Sequence, residues 1–420
     1  MFKLTNEPVW VKVVLGSLIL FTLYINIFAA LKYGDYFLLG SKEKMNNDDV
    51  RYIRTGLVLL EKGMLVDNDV NKPTVAEMPG HAMMLAALFK LFGYPEGLTA
   101  FRILQACLQG ICIFLVFLIC KSTFGSKVGL LACTFSAIYL PDVVSTGLAL
   151  MEVTYKFLLL LLIYISILAI RTRKTQYYVS GGVIWALACL IRPTLGLFPA
   201  VILGVWILYR YPIKSMIKYT LITSAVFVVL MSPWWVRNYL TFNQFIPFSL
   251  ASGNPFLQGT YINYDQTRDF IGYSPGRDAM ETDRIEMEVG IKRLKTYFKK
   301  YPLEYIHWYT IGKTKYMWYF PYYWKTVFDI HYNTVARFHL FILATGVFGS
   351  IAAIWGKHRR DSAILILTIL YFTVTHLPYF TFARYAYPAM PLVIILTAYG
   401  IKSVVKYIIK GPQGQGLTAV

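Results

Sequence analysis

The 420-residue chain is 57% hydrophobic and 15% charged, with a formal net charge of +19 and a mean hydropathy of +0.51. So apolar a composition excludes a water-soluble globule, whose surface would have to be built largely of hydrocarbon. The positive charge does not point to nucleic acid either, because the basic residues are sorted by loop and not gathered into one patch.

A bilayer core about 30 Å thick takes roughly 20 apolar residues per helix. In chain order such runs lie near residues 9–31, 100–120, 127–145, 150–170, 177–191, 195–210, 217–235, 336–356, 362–379 and 387–405. The sequence therefore predicts an all-α polytopic membrane protein with about ten transmembrane helices. The first run is long and leads directly into a polar loop, so it reads as a retained anchor and not a cleaved leader. The fifth and sixth runs are short and divided by Arg192-Pro193. All five cysteines fall inside predicted spans, which argues against disulfides outside the membrane.

Alternate loops carry the basic residues: Lys121 and Lys127, then Arg171, Arg173 and Lys174, then Arg210, Lys214 and Lys218, then Lys357, Arg359 and Arg360, and finally Lys402, Lys406 and Lys410. The other loops hold nearly all the carboxylates. The positive-inside rule then places both termini in the cytoplasm and the acidic loops outside. Residues 1–405 form the expected membrane unit, and 406–420 form a cytoplasmic tail with no soluble C-terminal domain.

Two external loops stand out. In the first, residues 32–98, Ile53, Leu57 and Leu60 recur at helical spacing after Asp48-Asp49, and Pro79 opens a second apolar stretch that ends at Gly93. Both stretches predict amphipathic helices lying in the membrane interface. In the second, residues 237–335, Met287, Ile291, Leu294 and Phe298 form a helical stripe. The aromatic segment from His307 to Trp324 that follows suits headgroup depth.

The residues able to carry chemistry gather in these external segments. Asp48 and Asp49 stand at a helix start, where carboxylates cap and complement the dipole; beside the bilayer they can equally serve as a general base or a metal ligand. Glu77 is a loop acid or a ligand, whereas Asp142 after Pro141 reads as an ordinary turn residue. Glu152 lies about one turn inside a predicted span, where burying a carboxylate is costly enough that function or pairing is the default. Arg192, Arg237 and Arg384 each sit at an external helix end. One such arginine would merely snorkel, but three on the side that carries the acids predict an anionic headgroup site.

Read in order, these pieces resemble a family. Asp48-Asp49-x-x-Tyr52, Glu77-Met78-Pro79-Gly80, Phe101-Arg102-Ile103-Leu104-Gln105, Tyr139-Leu140-Pro141 with Glu152, Leu190-Ile191-Arg192-Pro193, Pro233 to Tyr239, and Arg384 to Pro391 together look like the lipid-dependent glycosyltransferases of the GT-C fold. That branch includes the dolichyl-phosphate-mannose protein mannosyltransferases and the aminoarabinose transferases. The resemblance implies transfer of a monosaccharide from a polyprenyl-phosphate donor to a glycolipid, lipopolysaccharide, glycan or protein on the external face of a prokaryotic plasma membrane. It implies inversion and no nucleotide cofactor. Asp48 matches the catalytic acid of the first loop, with Asp49 beside it as the other candidate. Glu77 and Glu152 match acids of the site, the former linked in some members to a divalent ion such as Mg, Mn or Zn. Arg192, Arg237 and Arg384 fit the role of holding the lipid phosphate, and Tyr52, Asn238 and Tyr385 that of lining the substrate. Relatives often carry Lys-Pro-Pro where this chain has Met78-Pro79-Gly80, so a lysine donor is missing and His81 or Lys72 is the candidate to replace it.

Two other classes fit parts of the same pattern. A transporter or flippase of a lipid-linked anion would use the same arginines, with broken helices near the midplane. A scaffold would leave Asp48, Glu77 and Glu152 far apart.

Overall fold

The computed structural model describes residues 7–410. In chain order the helices are α1 (Val9–Tyr33), α2 (Asp48–Lys62), α3 (Pro79–Phe92), α4 (Glu96–Phe124), α5 (Ser126–Ala137), α6 (Pro141–Gly147), α7 (Glu152–Thr172), α8 (Thr175–Ile191), α9 (Pro199–Leu208) and α10 (Ile213–Phe242). There follow α11 (Gly253–Gly259), α12 (Ala279–Lys300), α13 (Pro302–His307), α14 (Lys313–Trp318), α15 (Tyr332–Trp355), α16 (Arg359–His376), α17 (Ala383–Ala386) and α18 (Met390–Lys410). No strand occurs among the described residues. α18 enters the expected tail 406–420, whose last ten residues lie outside those described.

Each apolar run becomes a helix, but ten full spans is not what the lengths give. Among the described residues, six helices are long and apolar enough to cross a bilayer: Val9–Phe37, Glu96–Phe124, Glu152–Thr172, Ile213–Phe242, Tyr332–Trp355 and Ala383–Ile408. A seventh is formed if α5 and α6, bent by 56°, are taken as one span. The shortfall has local causes. Pro141 breaks the third run, because proline lacks the amide that would continue the ladder. Arg192-Pro193 leaves α8 and the Pro193–Leu208 segment as short apolar helices, and α16 spends its first turn on Arg359, Arg360 and Asp361. This remains an integral membrane protein: leucines, valines and aromatics stay exposed along α1, α10 and α15, where only lipid would accept them.

Both amphipathic stretches of the first loop are helices. α2 stops at Gly63, whose φ of 66° is the left-handed cap that favours glycine. α3 begins on Pro79, where a missing N–H costs nothing. The residue after it, Gly80, is dictated by packing: a Cβ there would meet the carbonyl oxygen of Leu190 at 2.8 Å. The start of α3 is thereby pressed against the end of α8, next to Arg192. α15 and α18 approach still more closely, since a Cβ on Gly349 would lie 1.9 Å from the carbonyl oxygen of Leu396.

Candidate active site

The starts of α2 and α7, the end of α8, and α17 converge at one end of the bundle. Adjacent residues Asp48 and Asp49 occupy the first turn of α2, yet one helical step of about 100° sends them to different partners. Asp49 is fully buried. Its two oxygens accept the backbone N–H groups of Leu39 (2.6 Å) and Gly40 (3.2 Å), which fastens the loop leaving α1. Both oxygens of Asp49 are thus occupied by backbone, which makes it an anchor of that loop.

Asp48 is partly accessible. Its Oδ2 accepts from Arg384 Nη1 at 2.7 Å, and its Oδ1 accepts from Arg51 Nη2. Burial pushes its pKa up, but the charges of Arg384 and Arg51 outweigh burial and hold it below the ordinary aspartate value. Arg384 donates through Nε to Glu152 Oε1, so one buried guanidinium joins the acid of the first loop to the acid that opens α7. Arg192 Nη1 reaches the same Oε1 at 3.4 Å. Glu152 is 1% exposed, and its Oε2 has no hydrogen-bond partner.

The remaining walls are aromatic. Arg192 lies over the Tyr385 ring at 4.6 Å, and Tyr385 stacks on His376 at 4.9 Å. Tyr52 packs edge-on against His81 at 4.7 Å. Tyr322 is buried with a partnerless hydroxyl, within electrostatic reach of Glu152 and Arg384. Glu77 lies within electrostatic reach of the carboxylates of Asp67 and Asp48 and of the cations Arg51 and Arg384. Burial first, then the two acids, push its pKa up to about 8, so it holds a proton at neutral pH.

Other predicted site residues are braces. Arg237 Nη1 donates to the Thr74 carbonyl (2.9 Å) and to Asn238 Oδ1 (3.0 Å), with its guanidinium between Trp234 and Phe242, each 5.2 Å away. Asn238 is buried and donates to the Ile246 carbonyl at 3.0 Å. These contacts tie the end of α10 to the loop that carries Glu77, and they do not join the Asp48–Arg384–Glu152 network. His81 is fully buried, with Nε2 3.2 Å from the Ala149 carbonyl, so it forms part of the wall. Lys72 is exposed and pairs with Asp69 at 3.6 Å. Neither bonds to Asp48, Arg384 or Glu152.

Three features escaped the sequence reading. Arg51, one turn after Asp48, is a site cation; the i,i+3 spacing of Asp48 and Arg51 was its available signal. Tyr322 was hidden in an aromatic belt. Asp142, read as a turn residue, accepts Lys156 Nζ at 2.7 Å inside the bundle, and Lys156 also reaches the Tyr387 hydroxyl at 3.0 Å. Glu152 and Lys156 are one turn apart on α7, as are Arg384 and Tyr387. The two pairs form successive rungs that fix the segment bearing Arg384.

The donor set does not fit a preformed metal centre. Both oxygens of Asp48 face guanidinium groups, and among the described residues no group of three or more His, Cys, Asp or Glu is placed to hold an ion.

Comparison with known proteins agrees with this architecture. The family model of dolichyl-phosphate-mannose-protein mannosyltransferases matches residues 71–236. No curated protein matches the sequence. Among solved structures, ArnT from Cupriavidus metallidurans bound to undecaprenyl phosphate superposes with a TM-score of 0.55 at 13% identity, covering 96% of this chain and 62% of its own. The oligosaccharyltransferase AglB from Archaeoglobus fulgidus, in complex with an inhibitory peptide and a dolichol-phosphate, gives 0.54 at 13% identity, covering 95% and 52%. The Archaeoglobus fulgidus oligosaccharyltransferase with zinc and sulfate gives 0.53 at 14%, covering 92% and 49%. The chain thus spans roughly half to three-fifths of the length of these structures. With the family match over residues 71–236 and these superpositions over nearly its whole length, the chain carries the GT-C fold of these structures.

Proposed function

We propose that the protein moves a monosaccharide from a polyprenyl-phosphate donor to an acceptor, with Asp48 as the base. The observation that carries the reading is the bridging of Asp48 and Glu152 by Arg384, with Arg51 and Arg192 on either side. A site that cleaves a sugar–phosphate bond needs a carboxylate beside cations able to receive a departing phosphate, and this one pairs both in a single network. Lipid phosphates bound to ArnT and AglB support the same donor class here. The acceptor class is a glycolipid, lipopolysaccharide, glycan or protein.

The acceptor hydroxyl or amine gives its proton to Asp48 as its oxygen or nitrogen attacks the anomeric carbon. The bond from that carbon to the phosphate oxygen breaks on the opposite face, which inverts the configuration, and polyprenyl phosphate leaves with the electron pair. Arg51 and Arg192 are placed to take up its charge. A donor phosphate that draws Arg51 away uncovers Asp48 Oδ1, so donor binding prepares the base. Glu77, protonated, adds no repulsion against the incoming anion. The basic loops at the opposite end of the bundle favour a cytoplasmic side there, with both termini, and an external active site in a prokaryotic plasma membrane. The scaffold reading is disfavoured because Asp48 and Glu152 share one arginine.

A transporter reading draws on the bend between α5 and α6 and the buried Lys156–Asp142 pair. One experiment separates the two. Purified protein is incubated with a panel of polyprenyl-phosphate sugars, and release of polyprenyl phosphate is measured beside flipping in vesicles. Release with one donor, abolished in Asp48→Asn, is expected. Flipping without release from any donor would establish the transporter.

A further inference from the structure

Far from the acids, α7, α8, α9 and α10 enclose a cavity of about 290 Å³, the size of the smaller ligand pockets, at ~300 Å³. Ala169, Gly181, Leu203 and Trp206 contribute apolar walls, and Tyr178 and Tyr219 line its end nearest the basic turns. It runs along α7 from Leu162 to Ile170, which at about 1.5 Å per residue lies some 15–27 Å from Glu152. That end is cationic. Tyr178 stacks on Tyr219 at 3.8 Å and hydrogen-bonds Tyr211 at 2.9 Å. The Arg173 guanidinium lies over the Tyr211 ring at 4.8 Å, and Lys218 Nζ lies 5.6 Å from the Tyr219 ring.

Lys174, Arg210 and Lys214 lie in the adjoining turns, and no Asp or Glu occurs between Glu152 and Asp265. Asp361, the acid nearest this end of α16, already accepts from Arg171 and Tyr209. An apolar slot under aromatic rings that carry cations matches an amphiphile with an apolar chain and an anionic head. We infer that this cavity, between α7 and α10 at the basic end of the bundle, is a binding site for one acyl chain of an anionic glycerophospholipid whose phosphate rests on Arg173 and Lys218. The prenyl tail of a donor held at Glu152 would have no use for cations at this end. The inference is independent of sugar transfer.

The test uses the full-length protein in a neutral detergent, titrated with phosphatidylglycerol carrying brominated acyl chains, which quench tryptophan on contact. Saturable quenching is expected, at least five-fold tighter than with brominated phosphatidylcholine, and the part due to the cavity disappears in the Trp185→Phe, Trp206→Phe double variant, which removes both tryptophans that line it. Gly181→Leu should abolish it without unfolding the protein, because a Cβ at Gly181 has no atom nearer than 4.0 Å; a melting curve verifies folding. The Arg173→Gln, Lys218→Gln double variant should erase the preference for phosphatidylglycerol while keeping residual quenching. Equal affinity for the two lipids, or full quenching in Gly181→Leu, overturns the site. Displacement by stoichiometric polyprenyl phosphate overturns the phospholipid assignment in favour of the donor tail.

Discussion

Where α2, α7 and α17 meet, Asp48, Glu152, Arg51, Arg192 and Arg384 form one connected network, with Glu152 and Arg384 almost wholly buried. At the opposite end of the same α7, Arg171 pairs with Asp361 nearer the surface, their side chains 24% and 36% exposed. An exposed pair forms and breaks at little cost, whereas a buried charge exacts a desolvation penalty that its partners must offset. The difference in burial supports placing the chemistry at the end where α2, α7 and α17 meet. It also makes the two ends differ in what a mutation does.

The largest effect belongs to Arg384. Arg384→Met leaves Asp48 and the buried Glu152 without their shared cation, and breaking a buried pair from one side costs about 3–5 kcal/mol. Unfolding in detergent should show that loss, together with loss of transfer. Adding Glu152→Gln should restore part of the stability but none of the transfer, because the uncompensated buried charge is removed while the site stays broken. An Arg384→Met protein as stable as the original would mean that the network is as loosely held as the pairs at the far end.

Next comes the contrast within the site end, between Asp48 and Asp49. Asp48→Asn keeps the shape but not the base, so transfer should fall about 10²- to 10⁴-fold with the melting temperature nearly unchanged. Asp49→Asn weakens the two bonds to Leu39 and Gly40 N–H and should cost about 1–3 kcal/mol of stability, with transfer per folded molecule kept within a few-fold. The reverse pattern would exchange the roles assigned to the two residues.

That pair also shows how far the sequence could be read. α1, α4 and α15 were legible because long apolar runs have no other solution in a bilayer, and α2 and α3 because period and glycine stops agreed. The positions of Asp48, Glu152, Arg192 and Arg384 at helix ends were legible as well. What each one touches was not. Asp48 and Asp49 are chemically identical, and only the loop from Leu39 to Gly40 decides which is buried. Arg237 reads as a helix end just as Arg192 does, yet α10 runs on to Phe242, and Trp234 and Phe242 hold Arg237 as a brace. Tyr322 could be told from the other tyrosines of its segment only once α17 was in place. The bend at Pro141 was visible as a proline, but the Lys156–Asp142 pair behind it needed two helices brought together in three dimensions.

A smaller effect tests Glu77. Its carboxyl is raised to about 8 in the fold, by burial and by the carboxylates of Asp67 and Asp48, from an ordinary value of about 4.3 in the unfolded chain. The native state therefore binds this proton more tightly, so its contribution is fully present below about pH 4 and is lost as pH rises through 8. Stability of the original protein should decline between pH 5 and 8.5 by more than that of Glu77→Gln, which has no proton to lose there. Parallel pH profiles for the two proteins would show that Glu77 is ionised at neutral pH, and the site would then carry one more negative charge against its donor.

The smallest effect is expected at the far end. Asp361 accepts from Arg171 and from the Tyr209 hydroxyl at 2.8 Å, and Asp361→Asn keeps an acceptor for the tyrosine while removing the ion pair. Pairs this exposed are worth about 0–1 kcal/mol, so stability should change by no more than that and transfer should not change. Raising the salt concentration should shrink the difference further, because screening reaches exposed charges and spares the buried network around Arg384. If Asp361→Asn instead reduced transfer as strongly as Asp48→Asn, charge at the two ends would be coupled through α7. Glu152 and Arg171 would then have to be treated as opposite terminals of one moving helix.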